Sequence, residues 1–117
     1  MAAGGVIGAS IRLAALEAAG DGRTWLWVMV GLLNVAGCAA VGAALAAADR
    51  WSWSPTTRSA AVVGVCGGLT TFSTVAVEVA LALDDGVGMA AAAVGWALLS
   101  LGLGVAAVAA GRAAVLR

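Results

Sequence analysis

An all-α integral membrane fold, with four transmembrane helices and a break near the middle of the third, is what this sequence predicts. Three observations carry that prediction. Hydrophobic residues make up 63% of the 117 residues and charged residues only 10%, whereas a soluble domain carries about 25% charged residues because its surface must face water. Three stretches are apolar for long enough to cross a hydrocarbon core, which takes roughly 20 residues, and a fourth is slightly shorter. Within one of the long stretches, two adjacent glycines and four hydroxyl residues interrupt the apolar run.

The first helix is expected over residues 2–19. It contains Arg12 and Glu17, has no charged segment ahead of its apolar run and is interrupted by Arg12, so it reads as a membrane helix and not as a signal peptide. Residues 20–24 form a turn. The second helix, 25–48, holds no charge and a single amide, Asn34; Trp25 and Trp27 at its start suit the headgroup level. A polar link follows, in which Trp51 and Trp53 lie beside Asp49 and Arg50 as a second aromatic belt. Pro55 stands just ahead of the third helix, 57–83, where a missing N–H costs little. That helix carries one charge, Glu78, and is closed by Asp84 and Asp85. The fourth helix, 86–111, holds no charge, and Ser100 is its only polar side chain. The whole chain, 1–117, thus reads as one four-helix membrane domain. Gly4/Gly8 and Gly64/Gly68 have the spacing that lets helices approach closely in lipid, where apolar burial gives no gain.

Six arginines balance six acids, and there is no lysine or histidine. No basic footprint for nucleic acid exists, and the commonest metal ligand and general base is missing. No nucleophile–base pair is evident, so no enzyme is predicted. Cys38 and Cys66 both fall in apolar segments and read as small buried residues. With four spans, both termini and the middle link share one side of the membrane, which carries Arg50, Arg58, Arg112 and Arg117; the other side carries Arg23, with Arg12 toward it. Arginine asymmetry in short loops sets orientation, and the termini are predicted to be cytoplasmic.

Two positions invite a functional reading. Gly67 and Gly68 lower helix propensity by roughly 2 kcal/mol relative to alanine. A break there would free carbonyls at membrane depth, tolerated where they line a cavity or meet an ion. Equally, the glycines could admit a neighbouring helix while Thr70, Thr71, Ser73 and Thr74 bond back to their own backbone. Asn34 is costly in an apolar span unless it finds a partner or faces a pore; packing and pore lining both satisfy that requirement.

The run Gly64-x-Cys66-Gly67-Gly68-Leu69-Thr70-Thr71-Phe72-Ser73-Thr74, followed by Glu78, resembles the third helix of the CrcB/Fluc fluoride channel family. Gly4-Gly5-x-x-Gly8-Ala9-x-x-Arg12 is similar to that family's first helix, Asn34-x-x-Gly37-Cys38 to its second, and Ser100 falls where its fourth carries a serine. The resemblance implies an antiparallel dimer of four-helix subunits in the inner (plasma) membrane. Such a dimer exports fluoride passively down its electrochemical gradient and so confers fluoride resistance. It further implies a structural sodium ion at the dimer interface, held by the backbone carbonyls of Gly67 and Thr70. Asn34, Phe72, Thr71, Ser73 and Ser100 would line the fluoride pathway, and Arg12 would draw anions to the pore mouth or anchor its helix. Glu78 is placed at an interface.

The chain departs from the family pattern in several places. Val75 stands where a second phenylalanine is usual, Trp96 and Gly104 flank Ser100 where tyrosine and a small hydroxyl residue are common, and Met29-Val30 replaces a Gly-Thr pair. Together with the arginine bias, these departures predict a heterodimer with a homologous subunit of opposite orientation. A small dimeric drug/proton antiporter is the alternative on length and span count. Such a transporter needs a carboxylate deep in the first helix and an aromatic-lined cavity, whereas Glu17 lies at the helix end beside Gly20-Asp21-Gly22 and the chain has one phenylalanine and no tyrosine. A structural membrane subunit would leave the glycine pair and its hydroxyls unexplained.

Overall fold

The computed structural model describes residues 1–20 and 22–117. The first helix spans Ala2–Ala19, the second Arg23–Arg50 and the last Val87–Leu116, while the third span, Pro55–Asp84, is interrupted after Leu69 and restarts at Ser73. The expected turn at 20–24 includes Asp21, which lies outside the described residues. Among the described residues, three helices are long and apolar enough to cross a membrane: Arg23–Arg50, Pro55–Asp84 and Val87–Leu116. They form an elongated bundle of 50 × 27 × 20 Å. The fourth helix runs to Leu116 instead of stopping near 111; the residues after Gly111, Arg112-Ala113-Ala114-Val115-Leu116, include no glycine or proline to end it.

Local chemistry places the ends. Ser54 caps the third span by accepting the Thr57 N–H at 3.1 Å, with Pro55 in the first turn, where its missing N–H has no helical partner to lose. The third and fourth spans are joined through Gly86, whose φ of +104° is open to glycine at little cost. Asp49 at the end of the second helix meets Arg58 at 3.2 Å and Arg112 at 3.7 Å. The same end of the bundle therefore gathers the middle link and the last turns of the fourth helix.

Two backbone-to-backbone seams hold the bundle. Gly4 and Gly8 of the first helix face Gly64 and Gly68 of the third span: a Cβ on Gly64 would stand 2.8 Å from the Met1 carbonyl, and one on Gly68 would stand 2.7 Å from the Gly5 carbonyl. The two glycine pairs recognised separately in the sequence are thus opposite halves of one contact. The second and fourth helices meet in the same manner, Gly42 against the Val108 carbonyl and Gly111 against the Ala39 carbonyl. Without Cβ atoms at these points the backbones pack directly, which is the main source of cohesion between helices in lipid.

Before its break, the third span loosens. Residues Ala60–Cys66 form a π-helical turn, and the Gly67 N–H reaches back five residues to the Val62 carbonyl. Gly67–Leu69 return to α geometry, and Thr70 then takes an extended conformation at φ −80°, ψ 156°. Wide turns of this kind cluster at functional sites.

Candidate functional site

A continuous helix would bond the Thr71 N–H to the Gly67 carbonyl and the Thr74 N–H to the Thr70 carbonyl. Both bonds are replaced here. The Thr71 N–H donates to Asn34 Oδ1 at 2.8 Å, and Asn34 Nδ2 returns a bond to the Thr71 carbonyl at 3.1 Å. Asn34 thus pairs with a single residue of the break much as a neighbouring strand would. The Thr74 N–H turns to the Thr71 hydroxyl at 3.2 Å. Thr71 Oγ1 also lies 3.0 Å from Thr74 Oγ1 and 3.2 Å from Ser73 Oγ, while Thr70 Oγ1 bonds back to the Cys66 carbonyl. The amide and hydroxyls thus satisfy the broken backbone and lie clustered around it.

The consequence falls on the two carbonyls singled out by the resemblance, those of Gly67 and Thr70. The Gly67 carbonyl loses its helical donor to Asn34. The Thr70 carbonyl loses its donor to the Thr71 hydroxyl and accepts instead from Arg12 Nη1 at 3.0 Å. Arg12 therefore reaches across from the first helix to the break. As a donor set, two carbonyl oxygens suit a hard cation such as sodium. A carbonyl oxygen has two lone pairs, so Thr70 can take a second partner beside the guanidinium. Among the described residues, no group of three or more His, Cys, Asp or Glu side chains could hold a metal ion.

Beside the break lies a cavity of about 440 Å³ between the second, third and fourth helices, lined by Asn34, Thr71, Phe72 and Ser100 together with Val75 and Gly104. Four of the five expected pathway residues thus share one wall system. Ser73 does not line it and touches it only through the Thr71 hydroxyl. Asn34 has two amide hydrogens, one of them given to Thr71, so the second is free to serve a guest. Phe72 is 83% exposed and forms an open rim. Val75, where an aromatic ring was looked for, gives an aliphatic wall.

Glu78 is bound up with its own subunit. It is 7% exposed and is held within the subunit: Arg23 Nε donates to Glu78 Oε2 at 3.1 Å and Trp27 Nε1 donates to the same oxygen at 2.8 Å. Arg23 also pairs with Asp85 and lies over the Trp27 ring at 5.7 Å. Trp27 in turn stacks on Trp96, centroids 5.2 Å apart and 15° between planes, and Trp96 Nε1 donates to the Trp27 carbonyl at 3.1 Å. Trp27, expected with Trp25 at the headgroup level, belongs instead to this cluster. The one-turn spacing of Arg23 and Trp27, which puts both on one helix face, was the available signal.

The family model described as CrcB-like protein, Camphor Resistance (CrcB), matches residues 1–112. A protein of Deinococcus radiodurans named fluoride-specific ion channel FluC is 39% identical, over 96% of this chain and 89% of its own length. Proteins of the same name from Rhodospirillum centenum, at 39% over 87% of this chain and 84% of their own, and Bordetella petrii, at 40% over 81% and 75%, are similar as well. These relatives are named as channels, not as enzymes. With the break, its asparagine and its hydroxyls in one constellation and the family match running through all four helices, this chain belongs to the CrcB family.

Proposed function

We propose that this chain is a subunit of a fluoride-selective ion channel that lowers cytoplasmic fluoride by passive export. The observation that carries the reading is the grouping of Asn34, Thr71, Phe72 and Ser100 around one cavity in an otherwise apolar bundle, in a chain whose relatives are named fluoride channels. Fluoride is small and strongly hydrated. The free Asn34 N–H and the hydroxyls replace part of its water, and the Phe72 ring offers its electropositive edge. A narrow path with donors placed for a small anion disfavours chloride. No bond is made or broken, and the membrane potential drives the anion outward.

In this reading the chain forms one domain of four transmembrane helices in the inner membrane, with cytoplasmic termini on the side of Arg50, Arg58, Arg112 and Arg117. Two subunits associate antiparallel. The exposed Phe72 and the open side of the cavity favour that arrangement, because a fluoride path open to lipid would not conduct. A sodium ion at the dimer centre would be held by the Gly67 and Thr70 carbonyls and would supply positive charge against the freed backbone dipoles. The arginine bias favours a homologous partner of opposite orientation. Hydroxyl-bearing Ser73 acts from behind the cavity wall by fixing Thr71.

Fluoride efflux from liposomes holding the purified chain, read with a fluoride electrode and with chloride as control, tests the proposal. Fluoride-selective efflux that is lost in Phe72→Ile supports it. Absence of efflux both alone and with a co-expressed homologous partner would sink it.

A further inference from the structure

On the fourth helix the cavity is lined by residues from Ala97 to Val108, the middle of Val87–Leu116. Toward the end of that helix opposite the cytoplasmic one proposed above, the next turn presents Trp96, one turn before Ser100. Its ring lies across Gly31 of the second helix, where a Cβ would stand 3.5 Å from the indole nitrogen. Gly31 is likewise close to one turn before Asn34. The groove that carries Asn34 and Ser100 therefore meets an indole immediately beyond them.

That half-buried indole is anchored at its N–H and on one face. Its single N–H is given to the Trp27 carbonyl at 3.1 Å, and its face is covered by the Trp27 ring. The Trp27 N–H is given to Glu78, which Arg23 holds. Indole nitrogen is a donor only, so once spent it offers an anion no hydrogen bond. An anion leaving the cavity along this groove would meet aromatic carbon where the preceding turn offers hydroxyl and amide donors.

We infer that Trp96, pinned by Trp27 and seated over Gly31, closes the outward end of the donor-lined cavity and sets the rate at which the anion passes. The inference rests on the channel reading but makes a separate demand: removing the indole must speed transport, whereas damage to a working pore would slow it. Glu78 and Arg23 act through Trp27 as positioning residues for this closure.

The test compares fluoride efflux of the wild-type chain with Trp96→Ala and Trp96→Leu in liposomes, reconstituted identically and checked for elution volume. Leu keeps an apolar side chain of lower volume, so it serves if the alanine variant aggregates. The expected result is efflux at least threefold faster than wild type in either variant, with selectivity over chloride reduced, since the path is wider. Gain of efflux from a silent wild type would support closure most directly. Wild-type efflux with variants equal or slower would overturn the inference and leave the channel reading standing. Silence of wild type and variants alike would also overturn it, because release of the indole would then not open the path; the channel reading would be judged separately with a co-expressed partner.

Discussion

The bundle contains two polar clusters, one around the break and one around Glu78, and they are built in opposite ways. At the break, polar side chains serve a backbone that has abandoned its helix: Asn34 pairs with Thr71, Thr71 takes the Thr74 N–H, and Arg12 takes the Thr70 carbonyl. Around Glu78 the helices are unbroken, and charged and aromatic side chains serve one another. The first cluster leaves backbone carbonyls with capacity to spare, whereas the second spends the Trp27 and Trp96 N–H groups and leaves Arg23 Nη2 buried without a partner among the described residues. The difference teaches what each can offer a guest: free carbonyls arise where the backbone is broken, and the spare group among the concentrated charges is a guanidinium donor.

The sharpest way to break the comparison is at Asn34. Asn34→Ala removes two hydrogen bonds and strands the Thr71 N–H and carbonyl in a water-poor setting. At about 1 kcal/mol per bond, with a further penalty for unmet buried groups, we expect a loss of about 2–4 kcal/mol. Thermal melting in detergent reads it, and fluoride efflux should vanish together with stability. A variant that melts like wild type would mean that the break is held by something other than Asn34.

Arg12→Gln probes the same cluster through its charge. Removing the guanidinium leaves the Thr70 carbonyl with a weaker donor, so the carbonyl should depend more on a mobile cation. The expected outcome is a lower melting temperature, and a larger rise on exchanging choline chloride for sodium chloride in the variant than in wild type. Equal sodium shifts in the two proteins would separate Arg12 from the cation site.

The first cluster could be anticipated from the sequence because a polar residue in an apolar run stands out whatever it contacts. Asn34, Thr71 and Ser100 are conspicuous for that reason, and paired glycines before four hydroxyls mark a weak point in a helix. What could not be anticipated is which backbone group each side chain would satisfy, since that depends on how the second helix is rotated against the third. The π turn at Ala60–Cys66 carries no local mark either, because its alanines and valines fit an α turn equally well. The Glu78 cluster escaped for a different reason. Tryptophans near a span's end have a ready explanation at the headgroups, and Trp25, 64% exposed, accords with it. Trp27, two residues on, turns inward to Glu78. Side-chain direction on a helix changes by about 100° per residue, so adjacent members of one aromatic pattern can serve lipid and core respectively.

Glu78→Gln bears on the second cluster. A glutamine keeps an oxygen for the Trp27 N–H but removes the charge facing Arg23, which then has Asp85 as its remaining acid partner among those observed. We expect a lower melting temperature, with a smaller drop than in Asn34→Ala, because Arg23 is partly exposed and Asp85 remains in place. We also expect faster fluoride efflux than wild type, since Trp27 and the Trp96 it holds are less firmly fixed. Slower efflux at unchanged stability would place Glu78 on the ion path and erase the contrast between the clusters.

The smallest effect is expected at the termini-bearing end, where Asp49 meets Arg58 and Arg112. These side chains are about half exposed, 47% for Asp49 with 48% and 51% for its partners. Ion pairs so open to water contribute about 0–1 kcal/mol and weaken with salt. Asp49→Asn should therefore leave melting and efflux nearly unchanged at 0.15 M salt. Its value lies in what it isolates: the substitution changes the net charge of the arginine-rich end without changing its arginine count or touching either cluster. Because arginines and not acids set orientation, Asp49→Asn should leave the balance of inserted orientations unchanged, read by protease protection of a C-terminal tag, and a shift would show that net charge takes part in choosing the partner.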